Sequence, residues 1–331
     1  MNQIAQQHTT NRRAFLLRLL KGGISIGAAC SLSYWLYDSA GPGLASKQKD
    51  LITLPDFSIP NLQSRMSIVT GPDRIKTLSR ALKGVGGIEA FIEKGDRVLL
   101  KVNAAFATPP ILSATTNPQL TAEVVRLCYR AGASSVVVTD NPINDPSSCF
   151  SLTGIAEAAR SQGAKVLLPR ARLFQPTTVP NGTLIRNWPI LWEPFLGTNK
   201  VIGIAPVKDH HRSGASMTMK NWYGLLGGRR NIFHQDINTI ITELAMMVKP
   251  TLVILDGTTT MIANGPTGGS LADLKQTNTM IVSTDQVAAD AFGATLLGKT
   301  VADLPYIVKA EAAGLGTADY KSLSPVRVRV S

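Results

Sequence analysis

The sequence predicts an α/β fold, a mostly parallel sheet flanked by helices in one or two lobes, on three observations. Short apolar runs bounded by polar residues alternate with segments of helical period. Between residues 96 and 169 two such alternations follow each other without a break, which is a βαβαβ run and implies parallel pairing. At 331 residues and 44% hydrophobic, the chain holds enough apolar material for one sizeable core or two small ones.

The elements follow in order. The amino terminus carries the pair Arg12 and Arg13, then Phe15 and Leu16, an uncharged apolar run from Gly22 to Tyr37, and a small-residue stretch ending "GLAS". This is the pattern of a twin-arginine export signal spanning residues 1–45, with cleavage after Ala45. About 16 apolar residues fall short of the ~20 that span a bilayer, although an uncut signal would still tether the protein. The reading implies the twin-arginine translocase as a partner, a periplasmic destination, and membrane contact only through this segment.

"DRVLLKVN" (96–103) reads as a buried strand. "NPQLTAEVVRLCYRAGA" reads as a helix, with Asn117 as N-cap, Pro118 in the first turn and Gly132 closing it. "SSVVVTD" is the next strand, "LTGIAEAARSQG" the next helix and "AKVLLP" another strand. Residues 171–200, rich in Pro, Trp and Thr, lack a clear period and form either an excursion of short strands or a lid. Regularity returns with the strand "KVIGIAPV" and the helix "SMTMKNWYGLLGG", capped by Ser216 and closed by Gly227. The helix "DINTIITELAMMV", the strands "TLVILDG" and "TMIVST", and the helix "DQVAADAFGATLLG", capped by Asp285, complete the pattern. There is no internal repeat.

Charge narrows the partners. The formal net charge is +12, and removing the four basic residues and one acidic residue of the first 45 leaves the remainder near +9. That excess favours a small anionic ligand; no Lys/Arg run or basic helix of the nucleic-acid-binding kind accompanies it. Cys128 and Cys149 remain after cleavage and either form one disulfide or stay as thiols, Cys128 on an apolar helical stripe. A cysteine-ligated iron–sulfur cluster needs four thiolates, so none is expected.

Ligands of open parallel sheets bind outside the carboxyl ends of the strands. Here those ends deliver Lys101 and Asn103, then Asp140 and Asn141, then Lys208, Asp209, His210 and His211, then Asp256. Of four histidines, His8 lies in the leader, so the mature chain keeps His210, His211 and His234 within 25 residues. Imidazole is both the usual neutral metal ligand and the usual base near neutral pH. His210 and His211 are adjacent, so an extended segment would point them apart, and one suffices for the site. Lys220, in the first turn of its helix, faces a macrodipole that disfavours a cation and favours a neutral, nucleophilic amine. "NGPTGG" (264–269) either closes on an anion through the backbone N–H groups of Gly265 and Gly268 or makes a tight turn.

With "LLKVN", "AGASSVVVTDNP", "KDHHRSGASMTMKNWYGLLGG", "KPTLVILDG", "NGPTGG" and "STDQVAADAFGATLLG" in order and at fitting distances, the chain resembles the domain-of-unknown-function 362 family over roughly residues 65–300. That resemblance implies a single α/β domain over residues 46–331, but no activity. Many members carry ferredoxin-like cysteine clusters, which this chain lacks. His210, Gly214 and Lys220 also resemble the spacing of the nickel-pincer lactate racemase family, in which the lysine tethers a nickel-bearing cofactor and a later histidine binds the metal. That likeness implies Lys220 as tether and His234 as ligand. It departs in lacking a second acid/base histidine from an earlier segment, a place His211 could take.

The expectation is therefore an exported enzyme, dependent on a transition metal or tethered cofactor, acting on a small hydroxy-acid-like anion. His210 and His211 would be acid/base groups, Lys220 the tether or anion clamp, and His234, with His210, the metal ligands. Asn103, Asp256, Gly265 and Gly268 would hold the bound group. The alternative is a non-catalytic periplasmic protein that binds an anion or metal at the same edge.

Overall fold

A computed structural model describes residues 12–35 and 52–331. His8 and the cleavage position after Ala45 lie outside the described residues. The N-terminal helix and the remainder are separate compact units. Helix α1 (Arg12–Trp35) is exposed along its length. Its stretch Phe15–Trp35, 21 residues, is long and apolar enough to cross a membrane. It exceeds the 16 uncharged residues from Gly22 onward because the helix runs back through Phe15 to Leu20 and takes Arg18 and Lys21 in its course. It fits a signal or anchor segment.

The second unit runs β1 (Met66–Thr70), α2 (Arg74–Gly84), β2 (Arg97–Lys101), α3 (Pro118–Arg130), β3 (Ser135–Thr139), α4 (Pro146–Leu152), α5 (Ile155–Ser161) and β4 (Lys165–Leu167). A two-stranded excursion, β5 (Phe174–Thr177) and β6 (Trp188–Leu191), follows, so the irregular middle is short strands. Then come β7 (Lys200–His210), β8 (Gly214–Ser216), α6 (Thr218–Asn221), α7 (Ile237–Met247), β9 (Leu252–Met261), β10 (Leu274–Ser283), α8 (Gln286–Leu296), α9 (Pro305–Ala312) and β11 (Val326–Arg329).

The main sheet has the order β11-β1-β10-β9-β7-β2-β3-β4, with β8 folded onto β7. Its centre, β9-β7-β2-β3-β4, is parallel, and the antiparallel pairs lie at β10 and β8. Alternate residues of each strand serve different cores. Val98, Leu100, Ile202 and Ile204 pack with Leu78 of α2, Leu120 of α3 and Ile155 of α5. Leu99, Val201, Ala205 and Val207 pack with Ile240 of α7, Val287 of α8 and Ile307 of α9. The two cores are therefore the two faces of one sheet, a three-layer arrangement, rather than two lobes.

The caps show why several helices begin where the sequence places them. Asn117 Oδ1 accepts from the Gln119 and Leu120 amides, and Asp285 from those of Val287 and Ala288. The helix expected over "SMTMKNWYGLLGG" is different. Ser216 belongs to β8, and helical residues begin only at Thr218, where the Asp290 carboxylate of α8 accepts from the Thr218 amide at 2.8 Å and the Met219 amide at 3.2 Å. A cap supplied from 72 residues away replaces the local one, and it fixes the segment carrying Lys220 to α8.

Candidate functional site

From β2 the chain moves outward through β3 to β4, and from β7 it moves the other way through β9, so β2 and β7 flank the point where the strand order reverses. A cavity of about 780 Å³ opens there. Both strands deliver a lysine to it or beneath it. Lys101, fully buried, pairs with Asp140 Oδ1 at 2.7 Å and donates to Asn221 Oδ1 at 3.1 Å and Val102 O at 2.7 Å. Asn221 Nδ2 in turn donates to Lys101 O and Ile204 O, each at 3.2 Å, and so ties β2 to β7. Lys208 Nζ donates to Ala114 O at 2.5 Å and reaches Asn103 Oδ1 at 3.5 Å. A register shift between Pro206 and Lys208 marks this point in β7.

Lys220 lines the same cavity and is only 8% exposed, yet its Nζ has no hydrogen-bond or ion-pair partner among the described residues. It lies over the Tyr223 ring, 5.0 Å from the centroid. Burial, then the field of Arg230, lowers its ammonium to about 7. Burial also lowers Lys208 to about 7, with Lys220 and Lys101 adding to the effect and Asp140 opposing it. Among the described residues four cations line the cavity, Lys208, Arg212, Lys220 and Arg230, against the single carboxylate of Asp140, which Lys101 already holds.

The histidines stack. The His210 and His211 rings are 5.0 Å apart and 8° from parallel, and those of His210 and His234 are 6.0 Å apart and 15° from parallel. His211 thus shares the cavity with His210, contrary to the alternation of an extended segment. The reason is that β7 ends at His210 and the chain turns at His211. Partners assign the tautomers. His210 Nδ1 accepts from the Arg212 and Ser213 amides, at 3.2 and 3.3 Å, so its proton is on Nε2. His211 Nδ1 meets Gly265 O at 3.3 Å, and His234 Nδ1 meets Asn231 O at 3.2 Å. A carbonyl only accepts, which leaves Nε2 of both rings with a free lone pair. Tyr223 OH, which donates to Arg230 O, sits 3.0 Å from His234 Nδ1 and completes that arrangement. Burial, then Lys220, lowers His210 to about 2, and the same two causes lower His234.

The structure therefore gathers His210, His211, Lys220, His234, Asn103 and Gly265 in one cavity. It places the other two expected residues elsewhere. Asp256 accepts from Arg74 Nε at 2.8 Å and from the Thr258 amide, because β9 continues past it to Met261 instead of ending. Gly268 packs against Met261 and Asp273, and its amide donates to Asn264 O. The Gly265 amide donates to Asp209 Oδ2, so "NGPTGG" is a tight turn with both of those N–H groups already engaged rather than an anion nest. His210 does not fit a metal, since one ring nitrogen is occupied and the other protonated. Among the described residues, no three of His, Cys, Asp and Glu group closely enough to hold a metal ion. Cys128 and Cys149 are separate buried thiols, which burial pushes up to about 12 and about 11.

The pattern reading passed over Arg230, Tyr223 and Asn221. Arg230 donates to Pro142 O at 2.8 Å and Leu226 O at 3.2 Å, which brings it in from the start of a 3-10 helix (Arg230–Asp236) with no strand-end signal. Gly224 was also passed over. A Cβ there would fall on the Asp140 carboxylate and lie 2.8 Å from Lys101 Nζ. Gly224→Ala is expected to displace that ion pair and lower stability by about 2 kcal/mol, read by thermal unfolding; an unchanged midpoint would show that the pair yields without cost.

A family model described as a domain of unknown function (DUF362) matches residues 98–295, more than half of the chain. A thylakoid-associated protein of Synechocystis is 27% identical over 254 residues, covering 73% of this chain and 75% of the relative. Among solved structures, the lactate racemase apoprotein of Thermoanaerobacterium thermosaccharolyticum aligns with 71% of this chain and 57% of its own, at 13% identity and a TM-score of 0.36. A protein from Thermotoga maritima aligns with 75% of this chain and 60% of its own, at 11% identity and a TM-score of 0.36. The chain spans less than two thirds of the length of either structure.

Proposed function

Since the chain belongs to the DUF362 family, whose description names no reaction, we propose from its own residues that the crevice binds a small organic anion of the hydroxy- or oxo-acid type and exchanges a proton with it. The observation that carries this is the pair Lys208 and Lys220, buried in a cavity whose only carboxylate among the described residues is already neutralised by Lys101. An anion entering there replaces the water both ammoniums have lost, which a neutral ligand does not. His210, with Nε2–H directed by its two backbone donors, is a hydrogen-bond donor to a ligand oxygen. His211, with a free Nε2 lone pair, is the proton acceptor. Burial of His210 suits donation without charge; it does not suit a role as base.

A tethered metal-bearing cofactor fits two of these residues. Lys220 offers an unpartnered amine and His234 a free Nε2 oriented by the Asn231 carbonyl, and these would hold it. When bound, such a group supplies the electron-accepting centre that the side chains lack. Export by the twin-arginine translocase to the periplasm, with residues 1–45 as the signal, is part of the same proposal, supported by the arginine pair and the apolar helix that follows it.

Titration calorimetry with lactate tests the anion. Each lysine adds to the attraction when protonated, and both lose their protons near 7. Affinity is therefore expected to be greatest at pH 6 and to fall about tenfold or more by pH 8.5. Equal affinity at the two pH values, or no binding at either, would end the proposal.

A further inference from the structure

The crevice holds more amine than anion binding requires, and its two exposed-to-ligand lysines are not equivalent. Lys208 is engaged, with its Nζ donating to Ala114 O at 2.5 Å and lying 5.1 Å from the Phe106 ring centroid. Lys220 likewise lies over a ring, that of Tyr223 at 5.0 Å from the centroid, but among the described residues its Nζ has no hydrogen-bond or ion-pair partner. Its neighbours are Arg230, Lys208 and the histidines, all of which oppose a second positive charge or offer none to compensate it. A free amine, held by a short helix that a buried carboxylate fixes in place, faces a cavity whose other cations are positioned to seat a carboxylate.

We propose that Lys220 is a carbonyl-capturing amine: its Nζ condenses with the carbonyl carbon of a 2-oxo acid, the carboxylate of which is held by Lys208. The inference rests on the anion reading of the crevice and adds a covalent partner to it. The unprotonated Nζ attacks the carbonyl carbon, His210 Nε2–H on the cavity wall donates a hydrogen bond to the developing oxyanion without giving up its proton, and one of the two protons on the attacking nitrogen passes to that oxygen to give the carbinolamine. The carbinolamine then loses its N–H proton and expels the hydroxyl as water, leaving a C=N bond. The balance is amine plus carbonyl giving imine plus water, with no oxidant or reductant. The lowering of Lys220 to about 7 leaves a large share of the amine neutral at that pH. A solvated lysine near ~10.4 is almost wholly protonated there. Lys101 is excluded because Asp140 holds its ammonium at 2.7 Å and it is shut off from the cavity by full burial.

Incubating the full chain with pyruvate and cyanoborohydride at pH 7, followed by intact mass and peptide mapping, tests this. The expected result is one reduced adduct per chain, mapped to Lys220, absent from Lys220→Arg, and suppressed in the wild-type protein by excess lactate, which lacks the carbonyl. The lactate competition keeps the test decisive should Lys220→Arg fail to fold. Adducts scattered over surface lysines, or one that lactate leaves unaffected, would overturn the proposal. No adduct from a protein that binds lactate in calorimetry overturns the covalent step alone and leaves the anion reading standing. No adduct together with no lactate binding overturns both.

Discussion

Asp140→Ala is expected to destabilise the protein by about 3–5 kcal/mol, the range for removing one partner of a buried ion pair. The carboxylate touches three groups. Oδ1 holds Lys101 Nζ at 2.7 Å and accepts from the Asn141 amide at 2.9 Å, and Oδ2 accepts from the Ala104 amide at 2.6 Å. Both side chains are nearly inaccessible, at 0% and 2%. After truncation Lys101 keeps Asn221 Oδ1 and Val102 O, neither of which carries a charge. Burial already lowers the Lys101 pKa, with Asp140 as its chief opposing influence, so the variant lysine would sit in the sheet as a free amine or an uncompensated cation. Because Asn221 joins Lys101 to Ile204 of β7, the damage reaches the switch point itself. Urea unfolding measures the loss, and Asp140→Asn, which keeps the acceptor and drops the charge, should lose less. In the double variant Asp140→Leu with Lys101→Met no charge is stranded, and most of the stability should return. A loss below about 1 kcal/mol in Asp140→Ala would show that the pair does not hold the sheet edge.

The same pair shows how far a sequence reading reaches. Lys101 and Asn103 were visible because they interrupt or end an apolar strand, and the rule that ligands gather at strand ends pointed to the edge where Asn103, Lys208 and the histidines line one cavity, with Lys101 buried beneath it. Helix starts at Asn117 and Asp285 were legible because their caps are local, two or three residues from the amides they satisfy. Where the partner is distant, the reading failed. Ser216 looked like a cap because nothing in its neighbourhood reveals that Asp290 serves the next turn. Asp256 looked like a site residue because Arg74, which claims it, lies 182 positions earlier. For Gly265 and Gly268 the sequence left anion nest and tight turn equally open, because occupation of their amides by Asp209 and Asn264 is a tertiary fact. Helix α4 has no sequence signal because Pro146 and four serine or cysteine residues in seven mask its period. Histidine roles were the least legible, since identity gives the pKa range whereas the tautomer is set by the groups around Nδ1.

Lys220→Met is expected to do the opposite of Asp140→Ala: to stabilise the fold while abolishing anion binding. A buried ammonium without a partner costs free energy that an unbranched apolar side chain of similar length does not. A gain of about 2–4 kcal/mol is expected at pH 7 or below, by analogy with buried charges replaced by hydrophobic residues. The pH dependence identifies the cause. In the folded protein Lys220 gives up its proton at about 7, and in the unfolded chain at ~10.4. Below about 7 it is charged in both states and the folded state bears the whole cost. As pH rises from there towards ~10.4, only the unfolded state stays protonated, and the cost shrinks to nothing. The advantage of Lys220→Met should therefore be full at pH 6 and vanish near pH 10, measured by chemical denaturation at both. Lys208 titrates over the same window in both proteins, and losing its neighbour should raise its pKa, which adds to the advantage at low pH. A variant that is less stable than wild type at pH 6 would mean that Lys220 has a partner in solution, and one equally stabilised at pH 6 and pH 10 would mean that packing, not charge, is what changed. The expected combination, a tighter fold and an empty crevice, is the signature of a lysine kept in place at the expense of stability because a ligand needs it.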